Sequence, residues 1–249
     1  MPSPSENKKI WGEYDWSADG NEWSATWGTT RMMWLRTLLP RIDQFVPSEH
    51  IVEIAPGFGR WSQYLKDLCS SLTLVDVTPI CVESCQERFA DFEHIRCYEN
   101  DGVHLPMVAD GTADFVFSFD SLVHADAETL RGYCGELAKK LSNDGVAFMH
   151  HSNLGEHRGE SGQLDIENLH GRCDVMTAAL WREYCESVDL HCIAQELINW
   201  GNIERHDCIS LTTRPGSRFA KKHQLLDNID FMRDASRTAE LSKLFGNWE

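Results

Sequence analysis

Two apolar runs separated by a glycine turn, the second ending in a carboxylate, restrict this chain more than any other feature. The first is Ile51-Val52-Glu53-Ile54-Ala55, the turn is Pro56-Gly57-Phe58-Gly59-Arg60-Trp61, and the second run is Leu72-Thr73-Leu74-Val75-Asp76. With a helix predicted over 60–68, this is the order of a parallel βαβ unit, whose strand ends accept nucleotide-like ligands. Gly57 and Gly59 open conformations closed to other residues and let a ligand approach the backbone. Asp76 stands where a carboxylate accepts hydrogen bonds from a ribose diol. The turn holds no G-x-G-x-x-G, because Ala55 and Trp61 fall where that pattern needs glycine or a small residue, and no Lys-Ser/Thr pair follows. It suits a nucleoside without a phosphate cradle.

The alternation continues downstream. Strands are predicted at 51–55, 72–75, 95–98, 114–119 and 146–150, with helices at 79–89 and 127–141 between them. Residues 152–175 are polar and irregular and read as a cap insertion after strand five. A helix at 177–187 and two closing strands at 190–196 and 208–213 complete an α/β core over 47–215. The tail, 216–249, reads as helical and polar. Residues 1–46 carry Trp11, Tyr14, Trp16, Trp23, Trp27 and Trp34, with a helix predicted from about 29 to 45. So many aromatics must pack on something, as a lid over the site or as a plain cover on the flank.

Composition sets outer limits. The 249 residues, 42% hydrophobic, suffice for one sizeable core. A balance of 23 basic against 39 acidic residues, net −16, disfavours nucleic acid and anionic membranes as partners. No apolar run approaches membrane-spanning length, and the first residues hold no signal-peptide core. Nine scattered cysteines without a C-x-x-C pair fit reduced thiols and no zinc site. The expectation is a cytoplasmic protein; its acidic surface and aromatic N-terminus allow a homodimer without requiring one.

Strand four runs out in Phe117-Ser118-Phe119-Asp120-Ser121-Leu122-Val123-His124, and strand five in His150-His151-Ser152-Asn153. The strand-end rule for open parallel sheets places Asp120, His124, His150 and His151 at one crevice. Histidine titrates near working pH, so His151 or His150 is expected as general base, with Asp120 orienting it or holding the acceptor. A divalent metal on Asp120, His124, His150 and His151 is the rival reading. Any one of these histidines can equally serve to satisfy buried backbone groups. Arg172, in the cap beside His170, either holds an anionic group or pairs with a carboxylate of this acidic chain.

The run Glu53-Ile54-Ala55-Pro56-Gly57-Phe58-Gly59 resembles the E/D-x-G-x-G-x-G motif of the class I S-adenosylmethionine-dependent methyltransferases, with Ala55 in place of the first glycine. The likeness covers about 48–150. It implies a Rossmann-like, mostly parallel sheet of seven strands with an antiparallel last strand. It also implies S-adenosylmethionine as cofactor and S-adenosylhomocysteine as product. By the same resemblance Glu53 lies near the cofactor's amino end, Ala55, Gly57 and Gly59 pass close to it, and Asp76 takes the ribose. Asp101 with Gly102 meets the adenine amino group, and Phe119 lies beside them. Arg60 and Trp61 follow the turn, where they can meet the cofactor's carboxylate and flank.

Further strings, Glu22-Trp23-Ser24-Ala25-Thr26-Trp27-Gly28 and His150-His151-Ser152-Asn153 among them, resemble bacterial sugar O-methyltransferases over most of 10–215. That implies a saccharide or sugar-bearing natural product as acceptor, met by Trp23, Trp27, His170 and Arg172. A sugar hydroxyl is a poor nucleophile, so it needs a proton acceptor or a metal. The alternatives are an N- or C-methyltransferase of a small metabolite or peptide, and a non-catalytic S-adenosylmethionine-binding module. A nicotinamide oxidoreductase predicts the absent G-x-G-x-x-G.

Overall fold

Parallel pairing of the apolar runs builds the centre of the computed structural model, which describes residues 3–168 and 170–246. The strands are β1 (Ser48–Ile54), β2 (Cys69–Asp76), β3 (Ile95–Glu99), β4 (Ala113–Ser118), β5 (Leu141–Ser152), β6 (His191–Trp200), β7 (Ile203–Thr213) and β8 (Gln224–Asn228). They form one sheet in the order β3-β2-β1-β4-β5-β7-β6-β8. β7 alone runs antiparallel to its neighbours β5 and β6. The order reverses direction at β1 and β4, and the crevice at such a switch point is where open sheets bind ligands.

Both faces of the sheet are covered, so its central strands are apolar throughout rather than alternating. Ile51 packs with Leu72, Leu74, Phe115 and Phe117 on one face. Val52 and Ile54 pack with Val75, Val116 and Met149 on the other. The helices are α1 (Pro4–Gly12), α2 (Thr30–Met33), α3 (Leu39–Ile42), α4 (Ser62–Leu65), α5 (Pro79–Arg88), α6 (Ala127–Lys140), α7 (Ala178–Ser187) and α8 (Phe231–Phe245). Side-chain caps start several of them: Ser3 on α1, Asp126 on α6 and Thr177 on α7.

Two elements depart from the expectations. The helix anticipated over 29–45 is α2 and α3 joined by a π-helical turn, Trp34–Leu38. Pro40 explains the change of pitch, because it has no N–H for the ladder and its ring crowds the preceding turn. The tail is not purely helical either. Gln224–Asn228 forms an eighth strand parallel to β6, and α8 follows it. Its apolar content, Leu225-Leu226 between polar residues, is too short for a periodic signal.

Candidate functional site

The carboxyl ends of β1, β2 and β4 open into a cavity of about 840 Å³ that reaches solvent. Its floor is the glycine turn, with Ala55, Gly57 and Phe58, and its sides include Asp76, Gly102, Phe119 and Asp120. The turn reverses the chain sharply, so Ala55, Gly57 and Gly59 all take positive φ, at 56°, 57° and 82°. Glycine does this freely, whereas Ala55 is held there against its preference.

Asp76 ends β2 with its carboxylate buried, accepting the N–H groups of Gly57 at 3.2 Å and Thr78 at 2.8 Å. Burial pushes its carboxyl up to about 6. Glu53 does not line the cavity. It lies beneath the turn, where Ser62 Oγ donates to it at 2.5 Å, and burial pushes its carboxyl up to about 8. Gly59 supports the turn from the same side, against Phe89. Asp101 does not line the cavity: its exposed carboxylate caps its own loop, accepting from the N–H groups of Val103 and His104 and pairing with the His104 ring at 2.6 Å. A short acidic turn satisfies itself this way, so only its neighbour Gly102 reaches the cavity.

A buried ion pair stands at the cavity wall. Arg60, 4% exposed, donates to Asp120 Oδ2 at 2.8 Å and to the Gly20 carbonyl at 3.2 Å. Its guanidinium also lies over the rings of Trp61 and Trp23, at 4.4 and 5.2 Å. The sequence placed both residues near the crevice but gave no sign that they meet. Asp120 adopts φ 62°, the left-handed region, directly at the cavity wall.

The N-terminal segment completes the cavity. Trp16 stacks on Phe58 with centroids 4.7 Å apart, and Trp11, Tyr14, Trp16 and Trp23 pack on one another. Asn7 of α1 donates to the His124 carbonyl at 3.1 Å, and Pro4 lies over Gly102. Trp23 therefore stands where an acceptor-facing residue was expected. Trp27 does not. It is 1% exposed, donates from Nε1 to Thr37 Oγ1, and packs against Trp200 and Phe231 in the core.

The histidines separate. His150 is fully buried behind the cavity wall, with Nδ1 accepting the Asp120 N–H at 3.0 Å and the ring stacked on Phe119. His151 lies on the opposite face of β5, as adjacent strand residues must. Its ring stacks on Trp181, and its nitrogens meet Ser210 Oγ and the Ser152 carbonyl. Burial lowers its imidazole to about 4. It cannot reach the crevice, and the expectation of a His151 base is withdrawn. His124 packs against Trp11, with Nδ1 donating to the Gly171 carbonyl at 3.3 Å; burial and then Arg172 lower it to about 4. None of the three lines the cavity.

Arg172 is also spoken for: 3% exposed, it is held by the fully buried Asp207 at 3.1 Å rather than offered to an anion. Its neighbour His170 is exposed at the surface, 6.5 Å from the His206 ring. Among the described residues no group of three or more His, Cys, Asp or Glu side chains could hold a metal ion. Asp120, His124, His150 and His151 thus form no ligand set, because they point to different partners on two faces. Among the same residues no helix is long and apolar enough to cross a membrane.

Comparison with known proteins agrees with this geometry. Residues 51–145, the stretch from β1 to β5, match a family described as a methyltransferase domain. No curated protein matches the sequence. Among solved structures the chain is similar to the PH0226 protein of Pyrococcus horikoshii OT3, with TM-score 0.55 and 19% identity over 72% of this chain and 89% of that one. A SAM-dependent methyltransferase from Aquifex aeolicus gives 0.52 and 13%, covering 85% and 98%. A geranyl diphosphate methyltransferase in complex with SAM gives 0.54 and 12%, covering 68% and 79%. At these identities the likeness is one of fold. The fold is the Rossmann-like α/β sheet that these methyltransferases share.

Proposed function

We propose that the chain transfers a methyl group from S-adenosylmethionine to a hydroxyl of a sugar or sugar-bearing metabolite. The residues at the cavity fit the cofactor by their chemistry. The buried Asp76 carboxylate suits a ribose diol, and Val77, Leu122, Ala125 and Tyr133 offer an apolar slot beside Gly102 for a base. When bound, S-adenosylmethionine supplies an electrophilic methyl on sulfur, whose departure leaves a neutral thioether.

The observation that carries the acceptor reading is the Asp120–Arg60 pair facing a wall of Trp11, Trp16 and Trp23. Aromatic faces pack against the C–H surfaces of sugars, while the ion pair supplies a carboxylate acceptor and a fixed cation for hydroxyls. Asp120 takes the hydroxyl proton. A carboxylate suffices, because the proton becomes strongly acidic only as the new O–C bond forms. Arg60 and the ring of Trp61 hold Asp120 in place and exclude water, and the segment from α1 to Trp23 acts as a lid.

The test begins with calorimetric titration of S-adenosylhomocysteine into the full chain, then labelled methyl transfer to a panel of sugars, nucleotide sugars, glycosides and amines. Micromolar binding lost in Asp76→Ala, with label on hydroxyls and at least about a hundredfold loss in Asp120→Asn, is the expected result. Label on amines alone would replace the hydroxyl reading, and no binding would remove the enzyme reading.

A further inference from the structure

Behind the cavity wall, three buried side chains from three parts of the chain stand in line. Arg172 comes from the cap, Asp207 from β7 and His150 from β5. Arg172 Nη2 and Nε donate to Asp207 at 3.1 and 3.3 Å. Asp207 Oδ2 lies 3.5 Å from His150 Nε2, and His150 Nδ1 accepts the Asp120 N–H at 3.0 Å. Asp207 and His150 are fully buried, and Arg172 is 3% exposed. A nitrogen that accepts cannot carry the proton, so the neutral ring bears it on Nε2, toward Asp207. His150 Nε2 makes no hydrogen bond among the described residues, and the Asp207 carboxylate at 3.5 Å is the charge it faces. The line ends on Asp120, whose φ of 62° lies in the left-handed region, costly for most residues other than glycine and less so for aspartate.

We infer that Arg172, Asp207 and His150 are positioning residues, holding the Asp120 backbone in its left-handed conformation so that its carboxylate meets Arg60 inside the cavity. The cap thereby sets the geometry of a cavity it does not line. Arg172 fixes Asp207, the charge of Asp207 favours the tautomer with its proton on Nε2, and the ring presents its lone pair to the Asp120 N–H. The bearing on catalysis rests on the proposed function; the bearing on Asp120 does not. The competing explanation is packing alone, since the His150 ring also stacks on Phe119 at 4.4 Å and lies 5.7 Å from Trp200.

Two substitutions in the full chain separate these. His150→Asn keeps an acceptor oxygen near the Nδ1 position and discards the ring. His150→Phe keeps the ring and discards the acceptor. Ligand-free crystal structures, melting temperatures and calorimetric affinity for S-adenosylhomocysteine are the readouts. His150→Asn is expected to keep Asp120 at positive φ with its Arg60 contact, and to bind the ligand nearly as the unsubstituted protein does. His150→Phe is expected to melt as high or higher, yet to release Asp120 from that conformation and weaken binding about tenfold, the factor carried by one lost hydrogen bond. The reverse ranking, or an unmoved Asp120 in His150→Phe, overturns the inference. If His150→Phe does not fold, a folded His150→Asn in which Asp120 leaves the left-handed region overturns it alone. Should the unsubstituted protein bind no S-adenosylhomocysteine, the cofactor reading falls and the crystal structures still decide the positioning.

Discussion

Single residues at the glycine turn carry costs that the fold imposes. Ala55 sits at φ 56° where glycine would be unstrained. Relieving that conformation is worth about 1–2 kcal/mol, while glycine's extra freedom in the unfolded chain takes back about 0.4–1 kcal/mol. Ala55→Gly is therefore expected to leave stability unchanged or raise it, by up to about 1.6 kcal/mol in chemical denaturation. Glu53 makes a pH-dependent claim. Burial raises its carboxyl from 4.5 to about 8, so the folded state holds this proton more tightly than the unfolded chain does. Its contribution is complete below about pH 4.5 and is lost as pH rises through about 8. Asp76 acts with the same sign over a lower window, up to about 6. Below about pH 6.5 the buried His124, His151 and His206, lowered to about 4, oppose this trend, so the melting temperature of the unsubstituted protein should fall from about pH 6.5 to 8, and Glu53→Gln should flatten that decline. An unchanged slope would mean that Glu53 is ionised as easily folded as unfolded. The same residues show where sequence reasoning stops. The strand-end rule located His150 and His151 along β5 correctly but could not tell which faced the crevice. A one-residue step changes the face, and only the neighbouring strand β7, with Asp207 on one side and Ser210 on the other, decides it. Trp23 and Trp27 divide in the same way between cavity and core.

Among elements, the legible ones were those that bury a long apolar stretch. β1, β2, β4 and β5 announce themselves because the sheet is covered on both faces, and α6 because Asp126 caps it and its apolar stripe is regular. β8 was not legible, because Leu225 and Leu226 are both 58% exposed and the strand is held by backbone pairing to β6. What fastens the tail is α8. Phe231 is 4% exposed, packs against Trp27 and Trp200, and lies under the Arg41 guanidinium at 5.4 Å. Phe231→Ala should cost about 3–5 kcal/mol in urea denaturation. Leu225→Ser should stay within about 0.5 kcal/mol, as exposed positions do. Equal and small effects at both would mean that the tail is dispensable to the core.

Across the whole molecule, the N-terminal residues divide: Trp27, Trp34 and Leu38 join the core under the sheet, while the part from α1 to Trp23 lies over the strand ends that form the cavity. α1 touches the loops after β3 and β4 through Lys8 with Glu99, Pro4 with Gly102 and Asn7 with His124. Trp16 then covers Phe58 after β1, and Gly20 receives Arg60. Most of the contacts made by α1 are polar and partly exposed, so α1 belongs to the weakly held part of the structure. A ligand seated beneath it would have to move it to enter or leave. Lys8 and Lys9 are exposed on α1 and mark a place where trypsin reports that movement. If opening of the segment and loss of ligand are one event, S-adenosylhomocysteine at about 100 times its dissociation constant should slow cleavage there about a hundredfold. Cleavage at the lysines of the tail, Lys221 and Lys222, lies on the far side of the sheet order and provides the internal comparison. Equal protection at both places would indicate global stabilisation by the ligand, and no protection at α1 would show that the cavity exchanges its ligand with the segment in place. Selective protection at α1 would assign Trp11, Trp16 and Trp23 to closing the site.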